Sequence, residues 1–272
     1  MNQDEYFKWL KEQFELSPDR TRDDLRALIG SNRSSIRELS VEEIEQTEPS
    51  RLKTHLLDVF ERLDLDPIER EKVTRLRASE QLLDNDIDWL IELVWRRAGP
   101  LYLFAILGRF WQDRSGYKHD EWYLTRASRC WRDAGRPDKA IACLEAVSGG
   151  TDERLVAAIH TTRAGAFKDL LNLPAAELEG RKALSINRDD RYANNVMGAI
   201  AYLRHEYELG DSYFQTAEGS GQSGAQTRME LRHILESMNW SDKQAFGKHL
   251  LGVDPKKNAW VAKAIRRPEP KR

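Results

Sequence analysis

The sequence lacks the features that mark membrane-spanning and secreted proteins. No apolar run in its 272 residues approaches the roughly 18 residues that a membrane span requires. The first ten residues, MNQDEYFKWL, are acidic and lack the apolar core of a signal peptide. Two cysteines, Cys130 and Cys143, are too few for a disulfide framework. We therefore expect a reduced, cytoplasmic protein that does not associate with membranes.

The chain also lacks a strong net charge, since 43 Lys and Arg stand against 45 Asp and Glu. Eight Trp, eight Tyr and eight Phe are too many for a disordered chain. The charges are nevertheless segregated: residues 1–90 hold 14 basic and 22 acidic side chains, and residues 91–272 hold 29 basic and 23 acidic ones. Either the two regions attract each other, within or between chains, or the difference is simple variation of surface composition.

Helical periodicity dominates the sequence, and no stretch shows the sustained alternation of apolar and polar residues that is typical of strands. We expect an all-α fold with essentially no sheet. Six helices are predicted before residue 121. The first carries Phe7, Leu10 and Phe14 on one face, and the third is capped by Ser50 and carries apolar residues up to Leu63. The second and the last three are Asp24–Gly30, Pro67 to about Leu83, Asp86–Arg97 and Leu101–Trp111.

From about residue 121 onward, the sequence repeats a helix–turn–helix unit. The three units span residues 123–147, 159–187 and 192–221. Small residues fall at equivalent points of the second helices, where they let two helices approach closely: Ala140, Ala176 and Gly210, spaced by 36 and 34 residues. Further equivalent sets on the first helices are Ser128, Ala164 and Gly198, and Trp131, Phe167 and Ala201.

The same register predicts a degenerate fourth unit and a terminal helix. The fourth unit comprises Ala225–Met238 and Ser241–Leu251, with Ser241 as the N-cap of its second helix. A last helix around Asn258–Ile265 is expected to cover the apolar end of the stack. We expect three regions: an acidic helical region at 1–84, a helical repeat domain at 85–265, and a disordered Pro-rich tail at 266–272.

This pattern resembles the tetratricopeptide repeat (TPR) family over residues 121–224. The residues that carry the resemblance are Trp131, Gly135, Ala140 and Ile141 in the first unit, Ala164, Phe167, Ala176, Lys182, Ala183, Leu184 and Asn187 in the second, and Gly198, Tyr207, Phe214 and Ala217 in the third. The family's Leu-Gly pair and closing Pro are absent from these copies. The resemblance implies a right-handed superhelical stack whose first helices line a concave groove for peptides or partner helices.

The resemblance places the candidate partner-binding residues on the first helices. They are Trp122, Arg126, Arg129, Arg132, Thr161, Lys168, Tyr192, Asn195 and Tyr202. The three arginines follow each other at about one helical turn, so they repel one another unless an anion or an acidic partner meets them. The opposite face of this helix, with Leu124, Ala127, Ser128 and Trp131, suits the packed interface. The alternative is an ordinary solvated charged face.

Other motifs in the sequence lack the structural context that their usual chemistry requires. Gly219–Gly224 matches G-x-G-x-x-G but follows a helix rather than a strand, so we expect an inter-repeat turn instead of a phosphate cradle. Arg114 and His119 have a spacing seen in some helical ribonucleases, but a loop at Ser115–Tyr117 is expected to separate them. The six histidines form no zinc pattern, and the cysteines are expected to pack between helices. We expect no enzyme activity, cofactor or metal.

Residues Leu25–Arg37 resemble a helix-turn-helix, in which Asn32, Arg33 and Arg37 would contact DNA. Arg26 would crowd the helix crossing of that motif, and the region is net acidic, whereas DNA affinity depends on phosphate neutralisation. Two alternatives to the main interpretation therefore stay open. One is a transcriptional regulator with this motif and a TPR-like sensor. The other is a non-catalytic subunit of a nucleic-acid-processing complex.

The function that the sequence favours is binding rather than catalysis. We predict a cytoplasmic adaptor or scaffold whose groove holds an acidic peptide or helix of a protein partner. The acidic N-terminal region is a candidate intramolecular competitor for that basic groove, given the charge segregation. Nucleic acid is the less favoured partner, and the oligomeric state is left open.

Overall fold

The structure, a computed structural model, describes residues 37–97, 99–145, 147 and 150–265, with Lys263 described by its backbone alone. Fourteen α-helices and no strand occur in these residues, which confirms the predicted all-α fold for this part of the chain. The helices are α1 Val41–Gln46, α2 Pro49–Glu61, α3 Pro67–Ala78, α4 Asp84–Arg96, α5 Tyr102–Lys118, α6 Trp122–Asp133, α7 Pro137–Glu145, α8 Glu153–Asp169, α9 Leu173–Ile186, α10 Arg191–Leu203, α11 Tyr207–Gly219, α12 Gly224–Ser237, α13 Trp240–Val253 and α14 Ala259–Ala264.

None of the helices in the described residues combines the length and the apolarity that a bilayer crossing requires. The predicted helices around residues 7–14 and 24–30 and the predicted tail at 266–272 lie outside the described residues.

Two compact units divide the chain between Leu170 and Leu171. From here on, the first unit means the described residues 37–170, and the second unit means 171–265. These compact units are not the repeat units of the sequence. In the first unit one core runs from Ile44 on α1 to Ala166 on α8, with side chains from both sides of residue 84. The predicted boundary at residues 84 and 85 stays a prediction.

In the first unit, successive helices pack against each other from α5 to α8, and α6 also contacts α8. Large side chains fill the space between them, and Trp111 on α5 and Trp131 on α6 are both fully buried. Gly108 on α5 allows a close approach to α6, because an added Cβ there would lie 3.2 Å from the Cβ of Cys130. Ser128 then ties α6 to α7 by donating to the carbonyl of Ala140 at 2.8 Å.

The observed helix boundaries correct four of the predicted ones. Helix α2 begins at Pro49, which suits a first helical turn, so Ser50 is inside the helix and is not its cap. Helix α3 ends at Ala78 rather than near Leu83. Helix α5 continues through the expected loop at Ser115–Tyr117 and ends only where His119 adopts a left-handed backbone with φ 53°. The N-cap of α13 is Asn239, which accepts from the amide of Asp242, and not Ser241.

In the second unit, chain neighbours again pack in sequence from α9 to α14, and α10 also contacts α12. The predicted small residues lie at the crossing of α10 and α11. An added Cβ at Gly198 would lie 2.7 Å from the ring of Phe214, and one at Gly210 would lie 2.5 Å from the ring of Tyr202. Both rings are buried, so only glycine fits at these crossings.

The terminal helix α14, which was predicted around Asn258–Ile265, packs on α13. Val261 is fully buried against the core of this unit, and Ile265 approaches Gly247 on α13 so closely that a Cβ there would lie 2.5 Å from it. Asn258 donates its side-chain amide to the carbonyl of Leu250. The packing of chain-adjacent helices from α4 to α8 and from α9 to α14 is that of an all-α helical repeat.

Candidate interaction surface on helix α6

Helix α6 divides sharply into a buried and an exposed face. Its buried side chains are Ala127, Ser128, Cys130 and Trp131. The opposite face carries Trp122, Arg126 and Arg129, which are all exposed. Because residues four and then three apart on a helix share a face, these three side chains form one continuous stripe. We call this stripe the α6 face.

Arg126 lies at the centre of the α6 face and is held by two contacts. Its Nη1 lies 2.9 and 3.1 Å from the two carboxylate oxygens of Asp88 on α4. Its guanidinium also lies 4.9 Å from the centre of the Trp111 ring, within the range of a cation–π interaction. The Arg126 and Asp88 side chains are each 49% exposed, so the pair is open to solvent.

Arg129 is the most exposed cation of the stripe, with 72% of its side chain accessible. Its Nε lies 3.9 Å from Asp133, one turn further along the same helix. Asp133 is mostly covered, but its long distance to an exposed guanidinium makes this a weak interaction. Arg129 is therefore the arginine of α6 that an external carboxylate can reach most directly.

Arg132 is not part of this surface. Its Nε donates to Asp169 on α8 at 2.7 Å, and only 22% of its side chain is exposed. Its guanidinium lies against Gly165, where an added methyl group would overlap it. Arg132 therefore stabilises the contact between α6 and α8. The carboxylates of Asp88, Asp133 and Asp169 together offset the repulsion expected along the arginine stripe.

Trp122 begins the α6 face, and its indole has a fixed position. The Nε1 group donates to Asp152 Oδ2 at 3.3 Å, while the other oxygen of Asp152 caps α8 by accepting from its first amides. Trp122 stays 39% exposed. It offers an apolar surface beside the two exposed arginines.

The other predicted partner-binding positions between residues 37 and 170 are interior. Thr161 and Lys168 on α8 are both buried, and the ammonium of Lys168 lies 3.7 Å from Asp169. The resemblance placed them on a groove because it assigns one face of each first helix to the ligand. In this chain that face of α8 is covered, and the surface defined above excludes both residues.

In the second unit, the predicted positions on α10 differ from each other. Tyr192 is exposed and lies under the guanidinium of Arg191 at 4.6 Å. Asn195 accepts a hydrogen bond from Gln222 at 2.7 Å, which ties α10 to the loop before α12. Tyr202 is only 2% exposed, so it cannot contact a partner at the surface in this conformation.

Tyr202 is buried because it belongs to an aromatic cluster that the sequence patterns did not reveal. Its ring packs against Phe214 at 5.3 Å and Phe246 at 4.8 Å. Its hydroxyl donates to Asp211, which also contacts His249 Nε2 at 2.9 Å. Burial and the Asp211 carboxylate raise the pKa of Tyr202 above its usual range. This cluster joins α10, α11 and α13 and stabilises their packing.

The glycine-rich segment at Gly219–Gly224 is a turn between α11 and α12, as predicted. Gln222 is buried there and donates to Thr227 at 3.0 Å. Ser223 and Gln226 form a capping box, in which each side chain accepts a hydrogen bond from the backbone amide of the other residue. This arrangement supports the interpretation as an inter-repeat turn.

Arg114 is a structural side chain as well. Its Nε lies 3.0 Å from Asp84, and it donates to the carbonyl of Leu82. Tyr123 also donates to Asp84, at 2.6 Å, so this cluster fixes the start of α4. His119 is exposed at the end of α5. Arg114 is thus committed to packing, although the loop that was expected to separate it from His119 is helical.

The two cysteines are protected from reaction. Cys130 is buried against α5, and burial raises the pKa of its thiol. Burial also raises the pKa of Cys143 to about 12. Thiols with such pKa values are poor nucleophiles near neutral pH.

A surface depression of about 330 Å³ lies on α2 and is lined by Ser50, Arg51, Thr54, His55 and Asp58. Burial lowers the pKa of His55, whose Nε2 lies 3.3 Å from the hydroxyl of Tyr102. All five lining residues belong to one helix, so the depression lacks the converging groups of a binding pocket. Within the described residues, no group of three His, Cys, Asp or Glu side chains is placed to hold a metal ion.

Of the residues predicted for DNA contact, Asn32 and Arg33 lie outside the described part of the chain. Arg37 precedes α1, is not helical, and donates to Glu43 in that helix.

Comparisons with models of protein families, with curated proteins and with solved structures find no match to this chain. Its function is therefore inferred from its own geometry.

Proposed function

We propose that this protein is a non-enzymatic adaptor that binds an acidic segment of a protein partner on a helical-repeat scaffold of the TPR type. The proposed scaffold is a right-handed superhelix, and the proposed compartment is the cytoplasm. The α6 face is the docking surface. The single observation that carries the proposal is that Trp122, Arg126 and Arg129 are exposed together on a helix whose opposite face is buried in the core.

The helix packing supports a scaffold role. Helix α6 contacts both α7 and α8, and helix α10 contacts both α11 and α12. Contacts with two following helices hold the backbones of α6 and α10 in place. A rigid surface lowers the conformational cost of capturing a flexible peptide, because only the peptide has to be ordered.

The chemistry of the α6 face favours carboxylates. Arg126 and Arg129 are about 4.5 Å apart along the helix axis, given the rise of an α-helix. Alternate side chains of an extended peptide are about 7 Å apart, a difference that the long arginine side chains can span. Guanidinium groups bind carboxylates through charge-assisted hydrogen bonds. Trp122 adds apolar contact area at one end of the face.

The proposal is tested by fluorescence anisotropy with a labelled deca-glutamate peptide at about 150 mM salt, where charges beyond about 8 Å are screened. Arg129→Glu is expected to weaken binding about tenfold, because it reverses a charge at the docking surface. Arg75→Glu is the matched control. Arg75 lies on α3 in the same unit, is 68% exposed, and has a carboxylate at 3.8 Å one turn away, much like Arg129.

The control separates specific docking from general charge effects. Equal weakening by Arg129→Glu and Arg75→Glu would show that the peptide senses only overall charge, and would contradict the proposal. A labelled 20-nucleotide oligothymidylate serves as the nucleic acid probe. Tight binding of this probe with no binding of the peptide would replace the adaptor proposal with the nucleic-acid alternatives.

A further inference from the structure

We infer that Asp88 is an internal competitor for the α6 face, and that a partner carboxylate takes its place on Arg126. This inference rests on the proposed function, because it concerns the regulation of the same surface. It assigns Arg126 and Arg129 different roles. Arg129 is the first contact for an acidic segment, and Arg126 becomes available only when Asp88 is displaced.

The position of Asp88 matches that of a bound ligand. It comes from α4, which is not a neighbour of α6 in the chain, and it presents both carboxylate oxygens to one nitrogen of Arg126 at 2.9 and 3.1 Å. Asp88 belongs to the acidic first 90 residues, and Arg126 belongs to the basic remainder. This ion pair thus joins a residue of the acidic region to a residue of the basic region.

The exposure of this pair makes exchange feasible. Both side chains are 49% exposed, so a carboxylate from solvent can approach Arg126 without opening the core. An ion pair of this exposure contributes little to stability, and its loss leaves the fold intact. The Trp111 ring beneath Arg126 holds the guanidinium in place when the carboxylate changes.

Two other arginines of the first unit, Arg132 and Arg114, form ion pairs that do not have these properties. Arg132 is largely covered where it meets Asp169, and Arg114 is more deeply buried where it meets Asp84. Displacing either carboxylate would leave a poorly solvated charge, which is costly. Of the two α6 arginines that pair with a carboxylate of another helix, Arg126 is therefore the one at which exchange is feasible.

The test uses the full chain and the same labelled deca-glutamate peptide. Asp88→Asn is expected to tighten binding about threefold, because it removes the competing charge of an exposed pair. Asp58→Asn is the matched control, since Asp58 is similarly exposed and pairs with Arg77 on α3, away from the α6 face. The gain from Asp88→Asn is expected to vanish when Arg126→Gln is already present.

The outcomes separate this inference from the proposed function. If Arg129→Glu weakens binding but Asp88→Asn gains no more than Asp58→Asn, the competitor role is wrong while docking on the α6 face stands. If the gain from Asp88→Asn persists in the Arg126→Gln background, the effect does not act through Arg126 and the inference is wrong. If neither the wild type nor Asp88→Asn binds the peptide, both fail together.

Discussion

Helices α6 and α10 occupy equivalent positions in the first and third repeats, yet they present different surfaces. Nine of the 13 residues of α10 are buried, against four of the 12 residues of α6. The difference is clearest at matched positions, 70 residues apart in the sequence. Arg126, Arg129 and Arg132 on α6 correspond to Val196, Ala199 and Tyr202 on α10, and all three residues of α10 are buried.

The comparison shows that the position of a helix within a repeat does not decide which of its faces is free. On α10 the face that corresponds to the arginine stripe packs into a core shared with α12 and α13. On α6 the same face carries arginines, two of which pair with Asp88 and Asp169. A charged first helix keeps an open surface, whereas an apolar one is covered by the helices that follow.

The largest expected effect concerns the core of the first unit. Trp131→Ala removes a fully buried ring and is expected to lower the free energy of unfolding by about 4 kcal/mol, because it leaves a large cavity. Urea denaturation followed by circular dichroism measures the change. Trp122→Ala, on the exposed face of the same helix, is the control and should cost less than about 1 kcal/mol. Similar costs for both variants would contradict the division of α6 into two faces.

The next effect concerns the small-residue crossing of the second unit. Gly210→Ala places a methyl group 2.5 Å from the Tyr202 ring, which is itself enclosed, so we expect a loss of about 2 to 3 kcal/mol from overpacking. The same denaturation measurement applies. Gly219→Ala near the end of α11, where an added Cβ meets open space, should be neutral or slightly stabilising. A tolerated Gly210→Ala would mean that α10 and α11 are not so closely packed.

A smaller effect distinguishes the two carboxylates that meet the arginines of α6. Asp169→Asn is expected to lower stability by about 1 to 2 kcal/mol, because it weakens a largely covered, charge-assisted hydrogen bond to Arg132. Asp88→Asn breaks an exposed pair and should cost less than about 1 kcal/mol. If Asp88→Asn proves the more destabilising of the two, Asp88 is structural and its role as a competitor is untenable.

The smallest effect is the pH dependence of the second unit. The carboxylate of Glu177 accepts from Arg181 on α9 and from Arg204 after α10, and these bonds, chiefly that from Arg181, hold its pKa below the ordinary value of 4.5. Because its folded pKa is lowered, its contribution to stability is full above pH 4.5 and is lost as the pH falls through the folded pKa. Glu177→Gln should cost about 1 kcal/mol at pH 7 and less in acid.

Thermal melts of wild type and Glu177→Gln between pH 7 and pH 3 measure this change. The two melting temperatures should converge as the pH falls. Glu208→Gln, at an exposed position on α11, is the control and should follow the wild type throughout. A constant difference between wild type and Glu177→Gln at every pH would contradict the assigned role of the carboxylate.

Much of the fold could be predicted from the sequence, because helical periodicity and glycines are local signals. The helices from α6 to α14 lie close to the predicted segments, and the crossing of Gly198 and Gly210 was indicated by their spacing. The ion pairs could not be predicted, since Asp88 and Asp169 are 38 and 37 residues from their arginines. The burial of Tyr202 depends on Phe246 and His249 of a later helix, which no local pattern reveals.

The most direct test of the central claim, that α6 carries the docking surface, is hydrogen–deuterium exchange of the full chain with and without saturating deca-glutamate peptide. Docking on the α6 face predicts new protection in Trp122–Asp133 and a change of exchange rate in Asp84–Arg96, where Asp88 is released. Protection concentrated in α11 to α13, with α6 unchanged, would contradict it.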